Sequence, residues 1–310
     1  MKKAGLLIGL SAFVVLQACS GKKGEQENTR LHIVTTTGMI GDMAEQIAGD
    51  KAIVTTLMGP GVDPHLYKAT QGDLSALRLA DVIFYNGLHL EGKMQEIFDR
   101  LQESQPVFAV ADGISENRLR IIARSGNKVT YDPHIWFDVQ LWIHCAEYMS
   151  TILQSVDPKN ATYYASRSEA YLSRLRALND TVHTQLSKIP TANRTLITSH
   201  DAFGYFGRAY DIQVKGLQGI STAAEFGLKD ITDMVDLIIA DSIRAVFVES
   251  SVSEKSIQAV IEGCKQRGHA IRKGGTLFSD AMGAEGTPEG TYPGMVEHNV
   301  RVISEALGSN

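Results

Sequence analysis

"DPKNATYYASRSEAYLSRLRALNDTVHTQLSKIP", residues 157–190, is the stretch on which the fold turns. Tyr171, Leu175, Leu178, Val182 and Leu186 recur at steps of three and four, which draws one apolar face along a helix. Pro158 stands near its start and Pro190 just past its end, where proline marks the boundaries of a helix. The pattern predicts one helix over 157–190. At 1.5 Å per residue, about 30 residues span roughly 45 Å, more than a helix inside an ordinary domain requires. Such a rod is either a stiff spine between two bodies or a long core helix within one.

The flanking sequence favours two bodies. Before the rod, "LHIVTTT" (31–37), "KAIVTTLM" (51–58), "DVIFYNG" (81–87) and "PVFAVAD" (106–112) are short β-branched runs, with helical stretches such as 39–49 and 71–80 between them. After it, the same grammar returns in "RTLITS" (194–199), "IQVKGL" (212–217), "RAVFVES" (244–250) and "AIRKGGTLF" (270–278). Strands alternating with helices predict parallel sheets covered by helices, an α/β class. The expected organisation is an N-terminal lobe over 31–156, the linking helix over 157–190 and a C-terminal lobe over 191–310.

The chain opens with "MKKAGLLIGLSAFVVLQAC": two lysines, an apolar run from Ala4 to Leu16 and a small residue before Cys19. That order is a secretory signal peptide over 1–18, and its apolar run is too short for a comfortable membrane span. "LQAC" resembles the lipobox of bacterial lipoproteins, which makes Cys19 the expected lipidation site and 19–30 a polar tether. The alternative is a plain secreted protein with a free Cys19. The expected location is the cell envelope, outside the cytoplasmic membrane. Cys145 and Cys264 remain, and spacing leaves their pairing open. With 310 residues, 44% of them hydrophobic, and a net charge of −5 with no basic block, the chain is globular and carries no footprint for nucleic acid.

In open α/β sheets ligands gather at the carboxyl ends of strands. Metal-capable residues stand in the loops expected there. His65 lies in "GVDPHLYKAT" after the second strand, His134 in "VTYDPHIWFDV", His200 in "TLITSHDAFGYF" and Asp280 in "GGTLFSDAMG". They are far apart in the chain and form no local motif such as HExxH. Three imidazoles and a carboxylate nevertheless make a coherent set for a borderline divalent transition ion.

"GPGVDPHLYKATQGD", "NGLHLE", "DPHIWFDV", "SHDAFGYFGRAYDI", "GISTAAEFGLKDI" and "LFSDAMG", in this order, resemble the TroA-like group, the metal-binding substrate-binding lipoproteins of bacterial manganese and zinc ABC importers. The likeness runs from residue 31 to the end. It implies two α/β lobes joined by a long helix and one zinc or manganese ion in the cleft between them. His65 and His134 would be ligands from the first lobe, His200 and Asp280 from the second. It also implies an ABC permease and its ATPase as partners, an N-terminal lipid in the membrane and a monomeric receptor that is not an enzyme. The chain lacks the His- and Asp-rich insertion that zinc-dedicated relatives carry between the first two ligands. It has His200 where manganese-dedicated relatives have glutamate, and so resembles the subgroup that accepts both metals.

Asp132, Asp138 and Asp201 flank the histidines and either orient them or cap helices. Glu225 and Glu249 resemble family positions near the cleft. Trp136, Phe203, Tyr205 and Phe206 either roof the site or pack the core. His32, His89, His144, His183, His269 and His298 read as structural or solvated. The competing class is a secreted zinc hydrolase using the same cluster. A catalytic zinc keeps an open position, whereas four protein donors close it, and the sequence holds no GxSxG or HExxH.

Overall fold

The computed structural model describes residues 30–308 apart from residue 225. The expected signal peptide, Cys19 and Glu225 lie outside the described residues. Every strand expected from the sequence forms. In the N-terminal half, β1 (Leu31–Thr35), α1 (Gly38–Ala48), β2 (Ala52–Thr56), α2 (Gln71–Leu79), β3 (Val82–Tyr85), α3 (Gln95–Gln102) and β4 (Val107–Ala109) alternate. The four strands make one parallel sheet in the order β2-β1-β3-β4. Val82, Ile83, Phe84 and Tyr85 are all buried, as expected of a strand covered on both faces. Thr70 caps α2 by accepting the Asp73 amide, while the Asp73 side chain returns to the Thr70 amide, which fixes where the chain leaves its long loop after β2.

A hairpin follows that the sequence reading did not resolve, β5 (Ile121–Ser125) and β6 (Lys128–Tyr131), antiparallel about Gly126 at φ +59°. The Ser-Gly-Asn turn between two β-branched runs was its signal. After α4 (Val139–Val156), the expected single helix over 157–190 is shorter than predicted. Pro158–Asn160 is a tight turn, and α5 runs over Ala161–Leu186, 26 residues or about 39 Å. The physical reason is local. The Asp157 carboxylate accepts from Asn160 and Tyr164, which anchors the chain outside the helix, and Pro158 offers no amide hydrogen. The predicted apolar face is correct and extends back to Tyr164.

The C-terminal half comprises β7 (Thr195–His200), α6 (Gly204–Tyr210), β8 (Gln213–Gln218), α7 (Leu228–Ala240), β9 (Ala245–Glu249), α8 (Lys255–Gln266), β10 (Arg272–Leu277) and α9 (Tyr292–Gly308). β7 pairs with β8 and β9 with β10, all parallel, and β7 runs beside β9. The long helix is not the sole link between the halves. The largest apolar core runs from Ile33 to Leu307, with α5 packed on α4, α1 and α9. Trp142 of α4 stacks on Tyr292 of α9 with ring centres 5.1 Å apart. Each sheet keeps a smaller cluster of its own, around Ile83 and Phe98 in one half and Val246 and Ile238 in the other. Cys145 and Cys264 are both free and buried.

Leu175 is fully buried on the helix face that faces this shared core. Leu175→Ala is expected to cost about 2–5 kcal/mol, because the rod cannot collapse onto the space left behind. Denaturant unfolding of the full chain measures it, and the loss should appear in one transition that takes down both halves.

Candidate metal centre

Four strand ends converge between the halves. His65 lies in the loop after β2, His134 follows β6, His200 is the last residue of β7 and Asp280 follows β10. All four are buried, and one donor atom from each lies within 4.8 Å of the others. His65 Nε2 is 3.3 Å from His134 Nε2 and 3.6 Å from Asp280 Oδ2. His134 Nε2 is 3.6 Å from Asp280 Oδ1, and His200 Nε2 is 3.3 Å from Asp280 Oδ2. Four donors about 2.0–2.1 Å from a zinc ion at tetrahedral angles would stand about 3.3 Å apart. The four distances, 3.3–3.6 Å, come near that edge, and the widest separation in the cluster is 4.8 Å.

Local chemistry sets each ring. The tripeptide Asp-Pro-His occurs twice, at 63–65 and at 132–134. In both, the aspartate Oδ1 accepts the histidine amide two residues on, at 2.9 and 3.0 Å, a turn that aspartate favours. The carboxylates then part company. Asp132 Oδ1 also takes the His134 Nδ1–H at 2.7 Å, which leaves Nε2 with its lone pair facing the cluster. Arg120, just before β5, donates to Asp132 Oδ2 at 2.8 Å. Asp63 Oδ2 instead accepts from the Thr222 hydroxyl of the other half at 2.6 Å.

His200 has its own carboxylate. Glu249, at the end of β9, accepts the His200 amide at 2.9 Å and holds its second oxygen 2.5 Å from Nδ1, an ionic contact off the line of an aligned hydrogen bond. Such carboxylates behind metal-facing imidazoles fix ring orientation and raise donor strength. The β7 strand must also pass close to β8: a Cβ at Gly216 would come within 2.3 Å of the Asp201 amide nitrogen. Glycine is required there for the backbone to approach.

Asp280 is the unusual member. It is 1% exposed, and neither carboxylate oxygen has a hydrogen-bond partner. Burial alone would raise its pKa, but His200, His134 and His65 outweigh that and hold it below the usual carboxylate range. For His65, burial dominates over the attraction of Asp280 and pushes its pKa down to about 4. At His200 burial opposes the charge, yet Glu249 and Asp280 prevail and raise its pKa well above the ordinary value. A buried carboxylate with no aligned hydrogen bond, facing the Nε2 atoms of three histidines, is chemistry suited to a divalent cation.

The other flagged residues sort by contact. Asp138 caps α4 through the amides of Gln140 and Leu141. Asp201 lies 3.8 Å from Arg120. Trp136 meets the His134 ring edge-on and donates its indole N–H to Ser279 O, tying the neighbour of one candidate ligand to the neighbour of another. Tyr205 donates to Asp132 O, whereas Phe203 and Phe206 stack with Phe137 and Tyr210 in the core. His269 and His298 bond backbone carbonyls, His144 pairs with Glu147, His183 packs on Tyr210, and His32 and His89 are exposed. Sequence reasoning missed Arg120, Asp63 and Thr222 as partners of the site. The doubled Asp-Pro-His was the available signal for Asp63.

A buried cluster of three histidines and a carboxylate, drawn from both halves, is a candidate site for a metal ion, and the class of protein follows from the likeness to known receptors. Residues 33–306 match the family described as ZnuA, the periplasmic zinc-uptake complex component A, and the chain belongs to it. It is 44% identical over 308 residues to the manganese-binding lipoprotein MntA of Bacillus subtilis, covering 99% of this chain and 100% of that one. It is 43% identical over 288 residues to the zinc-binding protein TroA of Treponema pallidum, covering 93% and 92%. The solved structure of that periplasmic zinc-binding protein superposes with a TM-score of 0.87 over 90% of this chain and 100% of the other, at 43% identity. The chain is thus the substrate-binding component of an ABC importer, which implies a permease and an ATPase. Among the described residues no helix is long and apolar enough to cross a membrane.

Asp132→Asn keeps the shape of the side chain but removes the charge behind His134. Metal affinity is expected to fall by about 10–100-fold, read by competition against a chelator of known strength.

Proposed function

We propose that His65, His134, His200 and Asp280 hold one divalent transition ion, zinc or manganese, as cargo, and that the protein captures it outside the cytoplasmic membrane and hands it to the permease. The observation that carries this reading is the buried Asp280 carboxylate, whose two oxygens lack any hydrogen bond and face three imidazoles. The relatives named for manganese and for zinc support the same cargo class. Three imidazoles rank zinc above manganese, while a bidentate Asp280 raises the coordination number in favour of manganese. The hydrolase alternative has no support in a family of receptors. We further assign residues 1–18 as the signal peptide, Cys19 as the lipid-bearing residue and 19–30 as the tether. Lobes over 31–156 and 191–310 flank the segment 157–190, and the receptor acts as a monomer.

Calorimetric titration of manganese into the metal-stripped protein at neutral pH tests the assignment. One-to-one binding at micromolar strength or better is the expected result. Silence with manganese but one-to-one binding of zinc marks a zinc receptor, and silence with both removes the site. Asp280→Ala is expected to weaken binding severely without unfolding the metal-free protein, which thermal melts of the variant would check.

Binding also depends on pH in a defined direction. A ligand must be deprotonated to bind, and Glu249 and Asp280 raise the pKa of His200 against its burial, so proton and metal compete for that ring. Affinity therefore falls as pH drops and the ring takes up its proton. A second proton from His65 enters only near pH 4. Titrations in buffers of different ionisation enthalpy should register a net release of protons as the ion binds.

A further inference from the structure

The two Asp-Pro-His turns treat their histidines differently. His134 is tied to the C-terminal half on several sides: Trp136 donates to Ser279 O at 3.0 Å, Tyr205 to Asp132 O at 3.0 Å, and Tyr292 to Trp136 O at 2.8 Å. His65 has no carboxylate behind its ring among the described residues, and its amide bond to Asp63 is local. Its loop includes Gly61 at φ +72° and the exposed Leu66. The bond that carries this loop across the cleft is Thr222 Oγ1–H to Asp63 Oδ2, at 2.6 Å between residues 159 positions apart. Thr222 follows β8, whose last residue Gln218 pairs with His200 and accepts the Asp201 amide at 3.1 Å. The hydroxyl is therefore anchored to the strand that carries another ligand.

We propose that Asp63 is a positioning residue for His65, and that the Thr222 hydroxyl, by gripping its second oxygen, holds the His65 loop closed over the ion and sets the rate of release. One carboxylate thus serves two ends: Oδ1 sets the His65 backbone and Oδ2 reads whether the opposite half is in place. Opening would break this bond and the metal–His65 bond, while the other three donors keep their own contacts in the two halves. The proposal rests on the metal-receptor reading above.

Zinc release from the loaded full-length protein into excess chromogenic chelator, followed by stopped flow, tests it. Thr222→Val removes the hydroxyl at nearly constant shape and is expected to speed release about tenfold, as for loss of a hydrogen bond to a charged group, with the association rate little changed. Thr222→Ser restores a hydroxyl and should release at the wild-type rate, a rescue that a merely structural role would not give. Asp63→Ala should release faster still, and Thr222→Val added to it should have no further effect, since the partner is gone. Wild-type release from Thr222→Val, with zinc still bound one-to-one, overturns the latch and leaves the receptor reading intact. A wild-type chain that binds no zinc or manganese removes both.

Discussion

The anion at Asp280 is the constraint around which this molecule is organised. A buried carboxylate without a hydrogen-bond donor is costly unless a cation or polar partners compensate it. Here the compensation is shared among imidazoles that arrive from strand ends distant in the chain. Each imidazole must offer its lone pair inward, so each needs a fixed tautomer. Asp132 and Glu249 supply that for His134 and His200. Arg120 balances the charge of Asp132 in turn, and no comparable cation stands beside Glu249 among its contacts. The site is therefore asymmetric: the carboxylate behind one imidazole is paired with a cation and the carboxylate behind the other is not.

Much of this was legible in the sequence because the signals were local. Short β-branched runs at loop-bounded intervals marked the strands, and the spacing of Tyr171, Leu175, Leu178, Val182 and Leu186 marked the face of α5. His65, His200 and Asp280 could be found because a parallel sheet sends its functional residues to one end, whereas His134 follows an antiparallel hairpin. Long-range partners could not be found that way. Nothing near Asp63 in the chain announces Thr222, and Arg120 reaches Asp132 only because a hairpin folds the segment back. Likewise the start of α5 was misplaced because side-chain contacts of Asp157, invisible to periodicity, hold the chain outside the helix up to Asn160.

The halves are less independent than alternating strands and helices suggest. Trp142, Tyr171, Leu175 and Tyr292 belong to one apolar cluster that crosses the waist of the molecule. Close-packed interiors are bistable rather than continuously deformable, so a joint of this kind resists broad rotation. The loop around His65 lies outside this shared packing, since neither His65 nor its neighbours Val62 and Tyr67 belong to the large cluster.

That shared core bears on how a loaded receptor is told from an empty one. If filling the site barely alters the outline of the protein, a transporter that met only its outer surfaces would accept both forms, and empty receptors would occupy it without purpose. The information that distinguishes cargo from vacancy must then be written in a small area at the mouth of the cleft. Leu66, 44% exposed, follows His65 directly in the chain. The rigidity that preserves the binding geometry thus concentrates the signal of occupancy into a few side chains.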